Sequence, residues 1–166
     1  MLVRAGAFWA SLVGCILSCH AQHTYHVSPT GDDALSGLSP SDAWQSLEVL
    51  NAQTFAPGDS ILFERGGTWL GMFHLNGSGT DGAPIVVGAY GNHTEPRPTL
   101  DGDGYQASLL IYNDGHIVIQ DLDFTNEASH LDDNGEVKKL STFLGETNDW
   151  GCLLYTSDAA DDTNRV

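Results

Sequence analysis

Four aspartates combine the right atom type with a spacing that could hold a ligand. Asp101 and Asp103, then Asp121 and Asp123, each stand two residues apart. On a strand, side chains at i and i+2 leave the same face, so each pair would present two carboxylates together. Oxygen ligands so placed suit Ca²⁺, the one cofactor these residues bring to mind. Paired carboxylates also serve as acid and base in glycoside hydrolysis, where a separation of roughly 5 to 9.5 Å decides between retention and inversion. A plainer reading stands beside both. Asp101-Gly102-Asp103-Gly104 has turn chemistry, and Asp121 and Asp123 alternate with Leu122 and Phe124 as solvent-facing strand positions.

Other chemistry-bearing residues are more scattered. His23, His26, His74, His93, His116 and His130 show no paired i,i+4 spacing for zinc, and read as surface or satisfied core positions. Trp69 and Tyr90 could be platforms for sugar rings, although aromatic residues after glycine turns also pack at the corners of a coil. Asn76-Gly77-Ser78 and Asn92-His93-Thr94 match glycosylation acceptors. There is no Gly-rich phosphate loop or nucleophile elbow, and no catalytic residue can be named by position.

Short strands must position these groups. Ile61-Leu62-Phe63, Ile85-Val86-Val87 and Leu109-Leu110-Ile111 each start 24 residues after the one before, with Gly, Asp, Asn and Pro turns between them. Thr24 to Ser28, Ser60 to Glu64 and Pro84 to Ala89 read as strands by their apolar, β-branched and aromatic content. Leu109 to Tyr112, His116 to Gln120 and Leu122 to Thr125 read as three strands forming successive faces of one coil. Too little chain separates them for crossover helices, so the expected architecture is all-β, a coil stacked on itself. Hairpins of a sandwich would show irregular spacing and tight two-residue turns instead. One helix is expected. Ser39 is its N-cap, Pro40 its first residue and Asp42 its capping-box partner, with Trp44, Leu47 and Leu50 as an apolar stripe ending near Asn51. Such a helix would cover the first layer of the coil.

The ends read differently from the middle. Met1 to Ala21 has the build of a secretory signal: Arg4, an apolar run from Ala5 to Leu17, and small residues at Cys19 and Ala21. That run is too short to span a bilayer, which takes about 20 apolar residues. Leu12-Val13-Gly14-Cys15 resembles a lipoprotein box, so lipid anchoring is the minor alternative to cleaved secretion. Cys152 to Asp161 resembles a translated transposase-type sequencing adapter residue for residue. On that reading residues 152–166 are an artefact, and 22–151 is the first part of a longer chain. Within 22–151, residues 22–56 read as the N-terminal strand and capping helix and 57–151 as the first rungs. All three cysteines fall outside that part, leaving it no disulfide and no thiolate metal site.

The formal charge of −16 argues against nucleic acid and anionic membranes as partners. Tyr25 to Asp33, Ala43 to Leu47, Pro57 to Phe63, Gly66 to Trp69, Gly79 to Ile85, Ala89 to Gly91 and Leu100 to Gly102 together resemble the opening of secreted right-handed parallel β-helix proteins of the pectate-lyase-like kind. The resemblance implies a right-handed parallel β-helix with an N-terminal capping helix. Its members include polysaccharide lyases and glycoside hydrolases, whose catalytic residues usually sit on middle rungs. The expected partner is therefore a polysaccharide. The alternative is a non-catalytic glycan-binding or surface-structural β-helix.

Overall fold

The structure, a computed structural model, describes residues 21–112, 114–126, 134–135 and the backbone of 152–154. The signal-like segment 1–20, most of the polar stretch 127–151, His130, and the adapter-like residues beyond 154 lie outside the described residues.

The described chain is all-β and its sheets are built on parallel pairing. The first sheet contains β1 (Thr24–Val27), β2 (Ser60–Glu64), β5 (Ile85–Tyr90) and β8 (Ile117–Ile119), each parallel to the next. The second contains β3 (Thr68–Leu70), β6 (Thr99–Asp101) and β9 (Asp123–Thr125), also parallel. The third pairs β4 (Phe73–Leu75) with β7 (Leu109–Ile111) in parallel, and β10 (Cys152–Leu154) joins β7 antiparallel. Each pass of the chain therefore gives one strand to each sheet in turn: β2, β3 and β4, then β5, β6 and β7, then β8 and β9.

The alternation in Ser60–Glu64 shows why these segments fold this way. Ile61 and Phe63 are fully buried, while Ser60, Leu62 and Glu64 point to the other face. Parallel register stacks like on like on the buried faces of the sheets. Tyr25, Ile61, Val87 and Ile119 form one ladder, Trp69, Leu100 and Phe124 a second, and Phe73 with Leu109 a third. Their side chains meet in one apolar core. Burying each such side chain contributes about 1.5–3 kcal/mol, which offsets the ordering of many short strands.

Two expectations from the sequence need correction. The first is the 24-residue period. Ile61 and Ile85 do lie in neighbouring strands of the first sheet, but Leu109 lies in the third. Register partners are Ile61 with Val87, Val87 with Ile119, and Phe73 with Leu109, so successive passes differ in length. Turns absorb insertions without disturbing the ladders, and regular spacing of the apolar runs was not the structural repeat.

The second is the helix. Pro40–Asp42 forms only a single 3-10 turn, and the α-helix α1 is Leu47–Asn51. Trp44 breaks the run between them. Its N–H donates to His26 O at 2.9 Å and its carbonyl accepts from Ser28 N at 2.8 Å, pairing it in parallel with Val27. A residue committed to a sheet ladder cannot also be helical. The cap moves to Ser46, whose Oγ accepts from Val49 N at 3.4 Å. Ser39 instead meets Asp42 side chain to side chain at 3.0 Å.

Candidate functional site

The four aspartates do not come together. Asp101 closes β6 and its Oδ1 accepts the N–H of Asp103 at 2.8 Å, an Asx turn in which Asp103 takes φ 44. Asp121 precedes β9 at φ 57 and its Oδ2 lies 3.3 Å from Arg65 Nη2. Asp123 opens β9 and lies 3.6 Å from Arg97 Nη1. The extended i,i+2 geometry that would pair the carboxylates is absent at both places, because one member of each pair is in a left-handed turn. Among the described residues no three His, Cys, Asp or Glu side chains gather to hold a metal ion.

Trp69 is not a sugar platform. It is 5% exposed, stands edge-on to Phe63 with ring centroids 4.9 Å apart, and its Nε1 donates to Gln45 O at 2.9 Å. Asn76 is also occupied: its Nδ2 donates to Asn51 O at 3.2 Å. Asn92 lies in an exposed turn, where its Oδ1 accepts from Thr94 N at 3.1 Å.

Polar groups converge at the outer face of the first sheet, near the C-terminal ends of its strands. The register sets Glu64 beside Tyr90 on neighbouring strands, and β1 places His26 beside Leu62. Ser28, just past β1, is 4% exposed and its Oγ donates to Glu64 Oε2 while lying 3.0 Å from Thr30 Oγ1. Tyr90 reaches back across β2 to this group. Its ring meets His26 edge-on, with centroids 4.9 Å apart and planes at 87°. Burial, then the neighbouring Glu64 charge, pushes the Tyr90 hydroxyl up to about 12, against a lowering hydrogen bond with Ser28. Tyr90 is therefore a neutral hydrogen-bonding group at ordinary pH and not a base.

Arg65 continues the cluster. Gly91 follows Tyr90 at φ 105, a conformation that favours glycine, and the Arg65 guanidinium reaches Asp121. The Arg65 N–H donates to Tyr90 O at 2.9 Å. Sequence reasoning missed this cluster, apart from Tyr90 as a possible platform. His26, read as surface or satisfied, has its Nδ1 buried without a hydrogen-bond partner, and so does Arg65 at Nε.

A second polar group, on the third sheet, does structural work. Asn51 Oδ1 accepts the N–H of His74 at 2.7 Å, and its Nδ2 donates to Met72 O at 3.0 Å. Burial holds the His74 imidazole below its ordinary range, although Asp114 acts the other way. Asp114 in turn accepts from Gly77 N at 3.2 Å and Ser78 Oγ at 2.8 Å.

The architecture is thus an all-β chain of parallel sheets, with a compact hydrogen-bonding cluster on one outer face. No protein-family profile matches it. The chain is similar to the lacto-N-biosidase of Bifidobacterium longum subsp. longum, at 30% identity over 66% of this chain and 9% of that protein. It is also similar to two crystal structures of the GH136 lacto-N-biosidase from Eubacterium ramulus, native and selenomethionine forms. Each matches with a TM-score of 0.58 at 29% identity, covering 63% of this chain and 20% of theirs. The chain spans about a tenth of the curated relative and a fifth of the solved ones.

Proposed function

We propose that this chain is the N-terminal part of a secreted glycoside hydrolase whose passes continue as a right-handed parallel β-helix. The carrying observation is the agreement of two similarities. The same protein class matches at 30% identity in sequence and at a TM-score of 0.58 in structure. The substrate class is a glycan of the kind that lacto-N-biosidases, as those relatives are named, act on.

Hydrolysis is preferred to the lyase reaction also expected from the resemblance to pectate-lyase-like proteins, because both the sequence and the structural similarity are to lacto-N-biosidases. The two carboxyl groups that hydrolysis requires are assigned here to passes outside the described residues, since the four candidate aspartates serve turns and ion pairs. Export rests on the signal-like residues 1–21. Among the described residues, no helix is long and apolar enough to cross a membrane.

The test is to express the longer reading frame that contains this chain and incubate it with lacto-N-tetraose. Release of the disaccharide supports the proposal. A folded product that binds the tetrasaccharide without cleaving it would favour the non-catalytic glycan-binding reading.

A further inference from the structure

An aspartyl or asparaginyl side chain followed by glycine can close on the next peptide nitrogen, because glycine leaves that nitrogen unshielded by a Cβ. The chain has six such pairs: Asn76-Gly77, Asp81-Gly82, Asp101-Gly102, Asp103-Gly104, Asp114-Gly115 and Asn134-Gly135. Closure needs a side chain able to turn and a peptide N–H that is not already donated. Three pairs have that N–H committed. Gly77 N donates to Asp114 Oδ2 at 3.2 Å, Gly102 N to Thr125 O at 2.8 Å, and Gly115 N to Ser78 Oγ at 3.2 Å. Their side chains are held too: Asn76 Nδ2 donates to Asn51 O, Asp101 Oδ1 accepts from Asp103 N, and Asp114 Oδ1 accepts from Ser78 Oγ. Asp103-Gly104 sits in a turn closed by Tyr105 N on Gly102 O at 2.7 Å, with Gly104 buried. The surroundings of Asn134-Gly135 lie outside the described residues.

Asp81-Gly82 differs from the other four. The pair is the exposed tip of a tight turn, across which Thr80 and Ala83 exchange both backbone hydrogen bonds at 3.0 Å. Among the described residues neither the Asp81 carboxyl nor the Gly82 N–H takes a hydrogen bond or an ion pair. A Cβ built on Gly82 would meet nothing within 4 Å, so a ring has room to form there. The base of the turn is anchored instead, by Gly79 N on Gly115 O at 2.9 Å and Ile85 N on His116 O at 3.0 Å.

We propose that Asp81 is a modification site set by the fold, the aspartate at which the folded chain first isomerises to isoaspartate. The Gly82 nitrogen attacks Asp81 Cγ and an N–Cγ bond forms. The amide proton and the carboxyl OH leave together as water, and the product is a five-membered cyclic imide. Solvent water then opens the imide. Hydrolysis at the Cγ carbonyl restores aspartate, and hydrolysis at the α-carbonyl leaves the main chain running through the side chain. No oxidant or reductant enters, and the mass is unchanged. The isoaspartyl link adds a backbone carbon to the turn and so disturbs the Thr80–Ala83 bridge. It also leaves a new α-carboxylate at the exposed tip, the group that S-adenosylmethionine-dependent isoaspartyl methyltransferases accept. The site has no part in the glycan reading, so neither falls with the other.

The experiment is incubation of the folded 166-residue chain at neutral pH and body temperature. Isoaspartate is located by peptide mapping with an aspartate-specific endoproteinase, which does not cut at the isomer, and by methylation with an isoaspartyl methyltransferase. It should build up at Asp81 about tenfold faster than at Asp101 or Asp114, which react only when their hydrogen bonds open. The same chain unfolded in urea should lose that preference, because the preference comes from the fold. Gly82→Ala, for which there is space, should slow the reaction at Asp81 about tenfold by shielding the nitrogen. Asp81→Glu would have to close a less favourable six-membered ring and should abolish it. Circular dichroism of the parent and both variants checks that each is folded. Deamidation of Asn134 is read separately, because it changes the mass and isomerisation does not. Equal build-up at Asp101 or Asp114 in the folded chain would overturn the proposal. So would isoaspartate that forms at Asp81 in urea but not in the folded chain.

Discussion

The first described pass of the chain through the three sheets and the last carry the same kinds of residue but keep them in different surroundings. At the first, Val27, Trp44, Leu47, Leu50 and Phe55 are all buried against the layer of Ile61, Phe63 and Phe73. At the last, Ile117, Ile119 and Phe124 are only partly buried, and Val118 is 41% exposed. The strand edges differ as well. His26 N donates to Gly37 O at 2.7 Å, Trp44 N to His26 O, and Trp69 Nε1 to Gln45 O, while Asn51 closes the β4 edge with both halves of its amide. An open strand edge invites pairing with another chain, and these devices occupy it. The lesson is that burial in these parallel sheets comes from the neighbouring pass and not from the strand's own pattern.

Paired truncations test that lesson, and they carry the largest expected effect. Leu50→Ala should lower the unfolding free energy by about 2–5 kcal/mol. Ile119→Ala, whose neighbourhood is already half open, should cost only about 1 kcal/mol. Urea denaturation of the two variants measures the difference, and equal losses would mean that the two ends are not distinct. Asn51→Leu comes next. It leaves the His74 N–H and the Met72 carbonyl unpaired, at about 1–3 kcal/mol for each group that water cannot reach. The variant should also self-associate more than the parent, visible by light scattering, because the β4 edge becomes available. A loss of stability with no change in association would separate the cap's two roles.

A pH dependence should appear at the same edge. Burial lowers the His74 pKa in the folded chain, so the unfolded chain binds the proton more readily. The contribution is fully present above the unfolded value of 6.5 and is lost as pH falls through the lower folded one. Thermal melts should therefore decline as pH drops below about 6.5, and His74→Gln should flatten part of that decline. A variant with the parent's pH profile would remove His74 from the account.

Much of the strand pattern was legible in the sequence, because alternation and β-branched content are local properties. Ser60–Glu64 is a strand at the bounds its alternation implies, and the strand expected over Pro84 to Ala89 forms one residue further on as Ile85–Tyr90. What could not be read was anything that depends on register between passes. The helix was over-extended because Trp44, spaced like a helical stripe residue, is taken by a ladder with Val27. The aspartate pairs looked like ligands because spacing does not reveal the left-handed turns at Asp103 and Asp121. The cluster of His26, Ser28, Glu64 and Tyr90 joins three strands far apart in sequence. No spacing rule links them when the passes differ in length.

The smallest effect is expected at β10. Its three residues join β7 antiparallel, the one pairing in the three sheets that runs against the others. They also belong to the segment that resembles translated adapter sequence. The inner ladders Tyr25–Ile61–Val87–Ile119 and Trp69–Leu100–Phe124 do not pass through it. A chain ending at Gly151 should keep the same circular dichroism spectrum and nearly the same melting midpoint, since the strand pairs with β7 along a single edge. It should lose protection of the β7 amides in hydrogen exchange and little else. A large fall in the midpoint would show that β10 closes the third sheet in earnest, and would make residues 152–154 part of the fold's design.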